Sequence, residues 1–243
     1  MQYSFSPGLA SSDHSSVIES PLFQNWIGSI DPCFEIRGIH FDSADFVKRN
    51  GQKTLLFLKL KADVVDENGK RVGGIVMLRG NAVAILIVLW CEGRPYLLLV
   101  DQPRFPLGDR HSLEIVAGML DWSTDWRKVA LAELHEEAGL SVDDSELIDL
   151  MAEFGGQNSG FAVSCGLLDE RLFLAAIERQ VSREALLAMH DREQEYTAED
   201  EGIRTVVLPY EEAARKFTDA KCLNALFLYE RWLQKQGRSI PKG

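Results

Sequence analysis

The stretch GMLDWSTDWRKVALAELHEEAGL, Gly118 to Leu140, decides how the rest of this 243-residue chain is read. Between Asp125 and Ala138 the apolar residues Leu131, Leu134 and Ala138 recur at helical spacing, which predicts a helix. Gly139 follows where a helix-ending glycine belongs. On that helix Glu133, Glu136 and Glu137 stand at i, i+3 and i+4, so the three carboxylates share one side. Like charges at that spacing repel and cost helix stability. A solvated acidic face is one account of the pattern. The other is a set of hard oxygen ligands for Mg²⁺, which takes carboxylates together with waters and substrate phosphates.

The residues on either side favour the second account. SLEIVAG, Ser112 to Gly118, reads as a strand ending on glycine; a loop, the acidic helix and Gly139 follow. This frame resembles the Nudix box, G-x5-E-x7-R-E-U-x-E-E-x-G-U with U aliphatic. Gly118, Glu133, Leu134, Glu136, Glu137, Gly139 and Leu140 fall on its positions in register. Thr124 stands at the first Glu position and Ala132 at the Arg position, two departures from the pattern. Further out, VDQPR (Val100 to Arg104) resembles the V-E-Q-x-R strand of ADP-sugar and ADP-ribose pyrophosphatases. LEIVAGML (Leu113 to Leu120) resembles their L-E-x-P-A-G segment with Val116 for proline. SCGLLDE (Ser164 to Glu170) resembles their S-P-G-G-x-x-E loop with Cys165 for proline. SPLFQNW, LFLKLKADVVDENG, GIVMLRGNAVAILI and TDAKCLNALFLYE are similar to the plant-type ADP-sugar diphosphatase branch. The likeness runs through most of the chain, and several segments in the right order weigh more than one motif.

The resemblance implies an α+β fold: a Nudix α/β/α sandwich with a mixed sheet and a smaller N-terminal β-rich domain. It implies Mg²⁺-dependent hydrolysis of a nucleotide-sugar diphosphate, ADP-sugar to AMP and sugar 1-phosphate, with Mn²⁺ as an alternative cofactor. UDP-sugar or ADP-ribose as substrate, and a degenerate protein that binds without cleaving, stand as alternatives because of Thr124 and Ala132. Glu133, Glu136 and Glu137 are then the metal ligands, joined by the Ala117 carbonyl. Glu170 is the general base, with Asp169 one residue away as its alternate. Arg104 is the arginine that holds phosphate oxygens, and Glu114 a wall of the substrate site. A homodimer formed through the N-terminal strands is also implied. The paired loss of Glu and Arg at Thr124 and Ala132 reads as a structural swap, since removing both members of an ion pair leaves no charge without a partner. His135 reads as solvent-facing, and Trp122 and Trp126 as packing over the helix rather than stacking on a base.

Composition agrees with a globular chain, at 46% hydrophobic and 26% charged residues. The net charge of −11 argues against nucleic acid, whose phosphates attract basic faces. Cys33, Cys91, Cys165 and Cys222 lack metal-knuckle or CxxC spacing and read as reduced thiols. The longest apolar run, AVAILIVLW (Ala82 to Trp90), is too short to span a bilayer and reads as a strand buried on both faces. The first residues lack both the basic start of a secretory signal and the arginines of a transit peptide, so a cytoplasmic place is expected. Residues 1–15 read as a mobile tail, 16–78 as the N-terminal β-rich domain and 79–243 as the hydrolase domain. Further strands are expected at Thr54–Val65, Pro95–Gln102, Arg171–Glu178 and Ile203–Tyr210. Helices are expected near Pro21–Ile27 and from Asp219 to about Gln236, the latter burying Cys222, Leu226, Tyr229 and Leu233.

Overall fold

The run AVAILIVLW becomes β5 (Ala82–Cys91), the spine of an eight-stranded sheet. Its even-numbered residues from Ala82 to Val88 are buried on one face and its odd-numbered residues from Val83 to Cys91 on the other. The computed structural model describes residues 1–49, 51–120, 123, 125–154, 160–192 and 203–241. The chain divides into two units, Met1–Asn81 with Ala162–Arg171, and Ala82–Phe161 with Leu172–Gly243.

In the second unit β11 (Arg171–Gln180) runs parallel to β5, while β6 (Arg94–Arg104) lies antiparallel to it and β12 (Arg204–Pro209) antiparallel to β6. The sheet is therefore mixed. β10 (Phe161–Ala162) and the short β9 (Ile148–Asp149) both pair with β11. Two layers of helix cover it. Ala130, Leu134 and Ala138 of α3 (Trp126–Ala138) and Leu186 of α4 (Arg183–Ala188) fill one face. Tyr210 and Ala213 of α5 (Tyr210–Lys216) and the predicted Cys222, Leu226, Tyr229 and Leu233 stripe of α6 (Ala220–Lys235) fill the other. This is the α/β/α arrangement that the sequence predicts, and Trp126 packs as expected, stacked on Phe173.

The segment Ser112–Gly118, expected as one strand, is two. β7 (Asp109–Glu114) pairs with β6, and β8 (Val116–Met119) pairs with β5. The chain changes partner at Ile115, whose backbone N–H donates to Cys222 Sγ at 3.4 Å. A buried amide that leaves the ladder needs such an acceptor.

The first unit is a four-stranded sheet in the order β1 (Gln2–Phe5), β2 (Glu35–Arg49), β3 (Gln52–Val65), β4 (Ile75–Leu78). α1 (His14–Ile18) and α2 (Pro21–Gly28) contribute Val17, Leu22 and Phe23 to its core. Two expectations are corrected here. Residues 1–15 are not a free tail: β1 runs parallel to β2 from Gln2↔Gly38 to Phe5↔Phe41, and Tyr3 and Phe5 pack against Phe41. Aromatic burial and a backbone ladder offset the ordering entropy that would otherwise leave a terminus loose. The division also falls at Asn81/Ala82 rather than 78/79, and Ala162–Arg171 returns to the first unit. Met77 N–H donates to Leu167 O at 2.8 Å, so this returning segment takes up a group on the edge of β4.

Candidate active site

Helix α3 is fixed at both ends. Asp125 accepts from the Lys128 N–H as N-cap, and Gly139 at φ +65° lets its own N–H reach His135 O. With Ala130, Leu134 and Ala138 locked in the core, the side carrying Glu133 and Glu137 is turned onto β8. Glu137, 7% exposed, accepts from the Ala117 N–H at 3.1 Å. Glu133 lies against the next residue: a Cβ added at Gly118 would stand 1.7 Å from Glu133 Oε1. The glycine is thus the cradle of that carboxylate. Ala117, Glu133 and Glu137 are brought together, whereas Glu136 is exposed further round the helix. His135 is exposed, as expected. Ala132 is also exposed, and Thr124 and Trp122 lie outside the described residues.

The donor chemistry here fits a hard cation, with carboxylate oxygens of Glu133 and Glu137 beside two successive residues of β8. Among the described residues no three His, Cys, Asp or Glu side chains are drawn tightly together. Of the three glutamates, Glu133 and Glu137 are the two set against Ala117 and Gly118. We expect Gly118→Ala to lower turnover by about 10- to 100-fold, because the added methyl takes the place of Glu133 Oε1 and small displacements at a reacting site are costly. Steady-state rates beside thermal melts check this, and a variant as active as wild type would show that the cradle is not used.

The second cluster surrounds Glu114, which is 2% exposed. Arg104 forks it, with Nε to Oε1 at 2.7 Å and Nη2 to Oε2 at 2.9 Å. From α6, Lys221 Nζ donates to Glu114 Oε2 and to Asp219 Oδ2. Burial opposes the charge on Glu114, but the Arg104 hydrogen bonds and the Lys221 charge outweigh it and hold its carboxyl at about 2. Burial likewise opposes the charge on Lys221, yet Glu114 and Asp219 raise it above the ordinary lysine range.

Glu114 therefore contributes stability that is complete above the ordinary Glu range and is lost as pH falls towards 2, amounting to on the order of 3 kcal/mol. The melting temperatures of wild type and Glu114→Gln should converge between pH 5 and about pH 2. A gap that stays constant over that range would show that Glu114 is not held in this state.

The third cluster lies in the first unit. Glu170, 6% exposed, receives Arg79 Nη1 at 3.0 Å on Oε1 and 3.1 Å on Oε2. Asp169 accepts the Arg79 N–H at 2.8 Å and the Gly80 N–H at 3.2 Å on its other oxygen. Burial raises the pKa of Asp169 against the pull of those two amides. Among the described residues, Arg79 Nε is a buried side-chain nitrogen with no hydrogen-bond partner.

Arg79, Lys221 and Asp219 were not singled out from the sequence. The signal for Lys221 is present, since a lysine two residues after an Asp N-cap opposes the helix dipole and calls for a nearby anion. Arg79 carries no comparable local signal, because its partner Glu170 lies 91 residues away.

No protein-family model matches the chain. It is 35% identical to Nudix hydrolase 14, chloroplastic, of Arabidopsis thaliana over 95% of its own length and 76% of that protein's. A solved structure described as the crystal structure of ADP compounds hydrolase matches with a TM-score of 0.55 at 20% identity, over 84% of this chain and 96% of that one, and so shares the fold. The identity to the plant relative across nearly the whole chain establishes the family to which the helix, the cradle and the sheet belong: this chain is an enzyme of the Nudix hydrolase family.

Proposed function

We propose that the chain hydrolyses the diphosphate of a nucleotide sugar, converting ADP-sugar and water to AMP and sugar 1-phosphate, with Mg²⁺ as cofactor and Mn²⁺ as a substitute. The observation that carries this reading is the pair of carboxylates, Glu133 and Glu137, set against Ala117 and Gly118. ADP leads among the bases because the solved neighbour is named for acting on ADP compounds.

Glu133, Glu137 and the Ala117 carbonyl hold the cation, with Glu136 as a further ligand. When bound, Mg²⁺ supplies the charge neutralisation that a diphosphate needs. Arg104 orients phosphate oxygens with a planar guanidinium, whose donors a lysine cannot match. Glu114, which takes its Nε and one Nη2 donor, holds the group in place. Glu170 takes the proton of the attacking water, and Arg79 compensates the burial of its charge. Asp169, one residue away, is the alternative base; its oxygens hold the Arg79 and Gly80 amides.

The test is product analysis by mass spectrometry with ADP-sugars, UDP-sugars and ADP-ribose in the presence of Mg²⁺. AMP and sugar 1-phosphate from ADP-sugars are expected. Preferred turnover of UDP-sugar or ADP-ribose would move the substrate, and no turnover by wild type with turnover by Thr124→Glu/Ala132→Arg would make this a binding protein.

A homodimer formed through the N-terminal strands is part of the proposal, and sedimentation of the active preparation as a monomer would remove it. No helix among the described residues is long and apolar enough to cross a membrane. The plant relative is chloroplastic by name. For this chain a cytoplasmic place is proposed, and a fluorescent fusion decides it.

A further inference from the structure

Lys221 lies in the first turn of α6, directly after the N-cap Asp219 and Ala220. A cation there meets the positive end of the helix dipole. Its side chain is 16% exposed, and its ammonium is shared between Asp219 and Glu114. On the other side of Glu114 stands Arg104, whose side chain is 39% exposed. One buried carboxylate thus has two cations, one buried with it and one reaching the surface. Two cations, Arg104 and Lys221, and two carboxylates, Glu114 and Asp219, meet here.

The two cations differ in what they can leave behind. A guanidinium that is the sole partner of a buried carboxylate is held in place, because pulling it away strands a buried charge. With Lys221 in place, Glu114 keeps a cation when the exposed Arg104 turns part of its fork outward. We propose that Lys221 is a positioning residue for the diphosphate site, neutralising Glu114 from the buried side so that Arg104 can be given over to phosphate oxygens. This inference rests on the reading of Arg104 as a phosphate ligand.

The experiment measures the Kd of ADP by calorimetry, together with kcat and KM for the best nucleotide sugar. The variants are Lys221→Met, Lys221→Arg, Glu114→Gln and the double variant Glu114→Gln/Lys221→Met. Lys221→Met is expected to weaken ADP about tenfold and to raise KM in parallel, with kcat within about threefold of wild type. Lys221→Arg should restore affinity to within about threefold, since it keeps the charge. In the Glu114→Gln background, Lys221→Met should change Kd by less than about twofold, because the residue acts through Glu114. Should Lys221→Met not fold, Lys221→Gln keeps a donor to both carboxylates without the charge and carries the same expectation.

A tenfold loss in the Glu114→Gln background would show that Lys221 touches the ligand itself and would overturn the proposal. So would an unchanged Kd in the wild-type background, or a loss confined to kcat. A wild type that binds ADP but cleaves no nucleotide sugar would defeat the reaction assigned above and leave this comparison standing. A wild type that binds no ADP would defeat both.

Discussion

Glu137→Gln is expected to remove most of the Mg²⁺-dependent hydrolysis, by about 10²- to 10³-fold, while melting close to wild type. The two halves of this expectation have separate causes. Glu137 is 7% exposed and accepts the Ala117 N–H, so shortening it would leave a buried amide without its acceptor. Glutamine has the same shape and keeps one oxygen for that bond, so the contact between α3 and β8 survives. What it loses is the negative charge, the property a hard divalent cation requires. Rates measured across an Mg²⁺ titration, beside circular dichroism melts, separate the two. Turnover at the wild-type rate would mean that the acidic side of α3 is not the metal site.

Glu170→Gln is the second large effect. A general base contributes about 10² to 10⁴ in rate, and a loss at the lower end of that range is expected for Glu170→Gln. The Mg²⁺ concentration for half-maximal rate should stay near the wild-type value, which distinguishes this variant from Glu137→Gln. Asp169→Asn is the informative companion. It turns an amide donor towards the Arg79 or Gly80 N–H, so it should lower the melting temperature through the backbone it holds. A wild-type rate for Glu170→Gln would move the base elsewhere in the chain.

Much of the fold was legible because its signals are local. The run from Ala82 to Trp90 announces a strand buried on both faces, and the cysteine, leucine and tyrosine stripe of α6 announces its inner side. Gly118, Glu133 and Glu137 were legible as a pattern, and the structure adds the close approach that explains the glycine. Strand β2 was missed because three register shifts, at Ile36/Gly38, Phe41/Ser43 and Asp45/Phe46, break the alternation that identifies a strand. Strand β1 was missed because four residues carry no periodicity, and its partner lies more than thirty positions away. Lys221 as a partner of Glu114 and Arg79 as the partner of Glu170 were missed for a related reason. Lys221 is 107 residues from Glu114, and Arg79 is 91 from Glu170, distances at which spacing carries no information about contact.

The return of Ala162–Arg171 to the first unit sets the order in which the nascent chain can finish folding. Asn81 is synthesised 90 residues before Arg171, and at about 5 to 20 residues per second that interval lasts roughly 5 to 18 seconds. Until it ends, the Met77, Arg79 and Gly80 amides lack the acceptors that Leu167 and Asp169 provide. The N-terminal strands therefore wait on the ribosome with one edge unfinished, open to chaperones and to mispairing with other nascent chains. The second unit is itself interrupted, so neither half can be completed from an uninterrupted stretch of message.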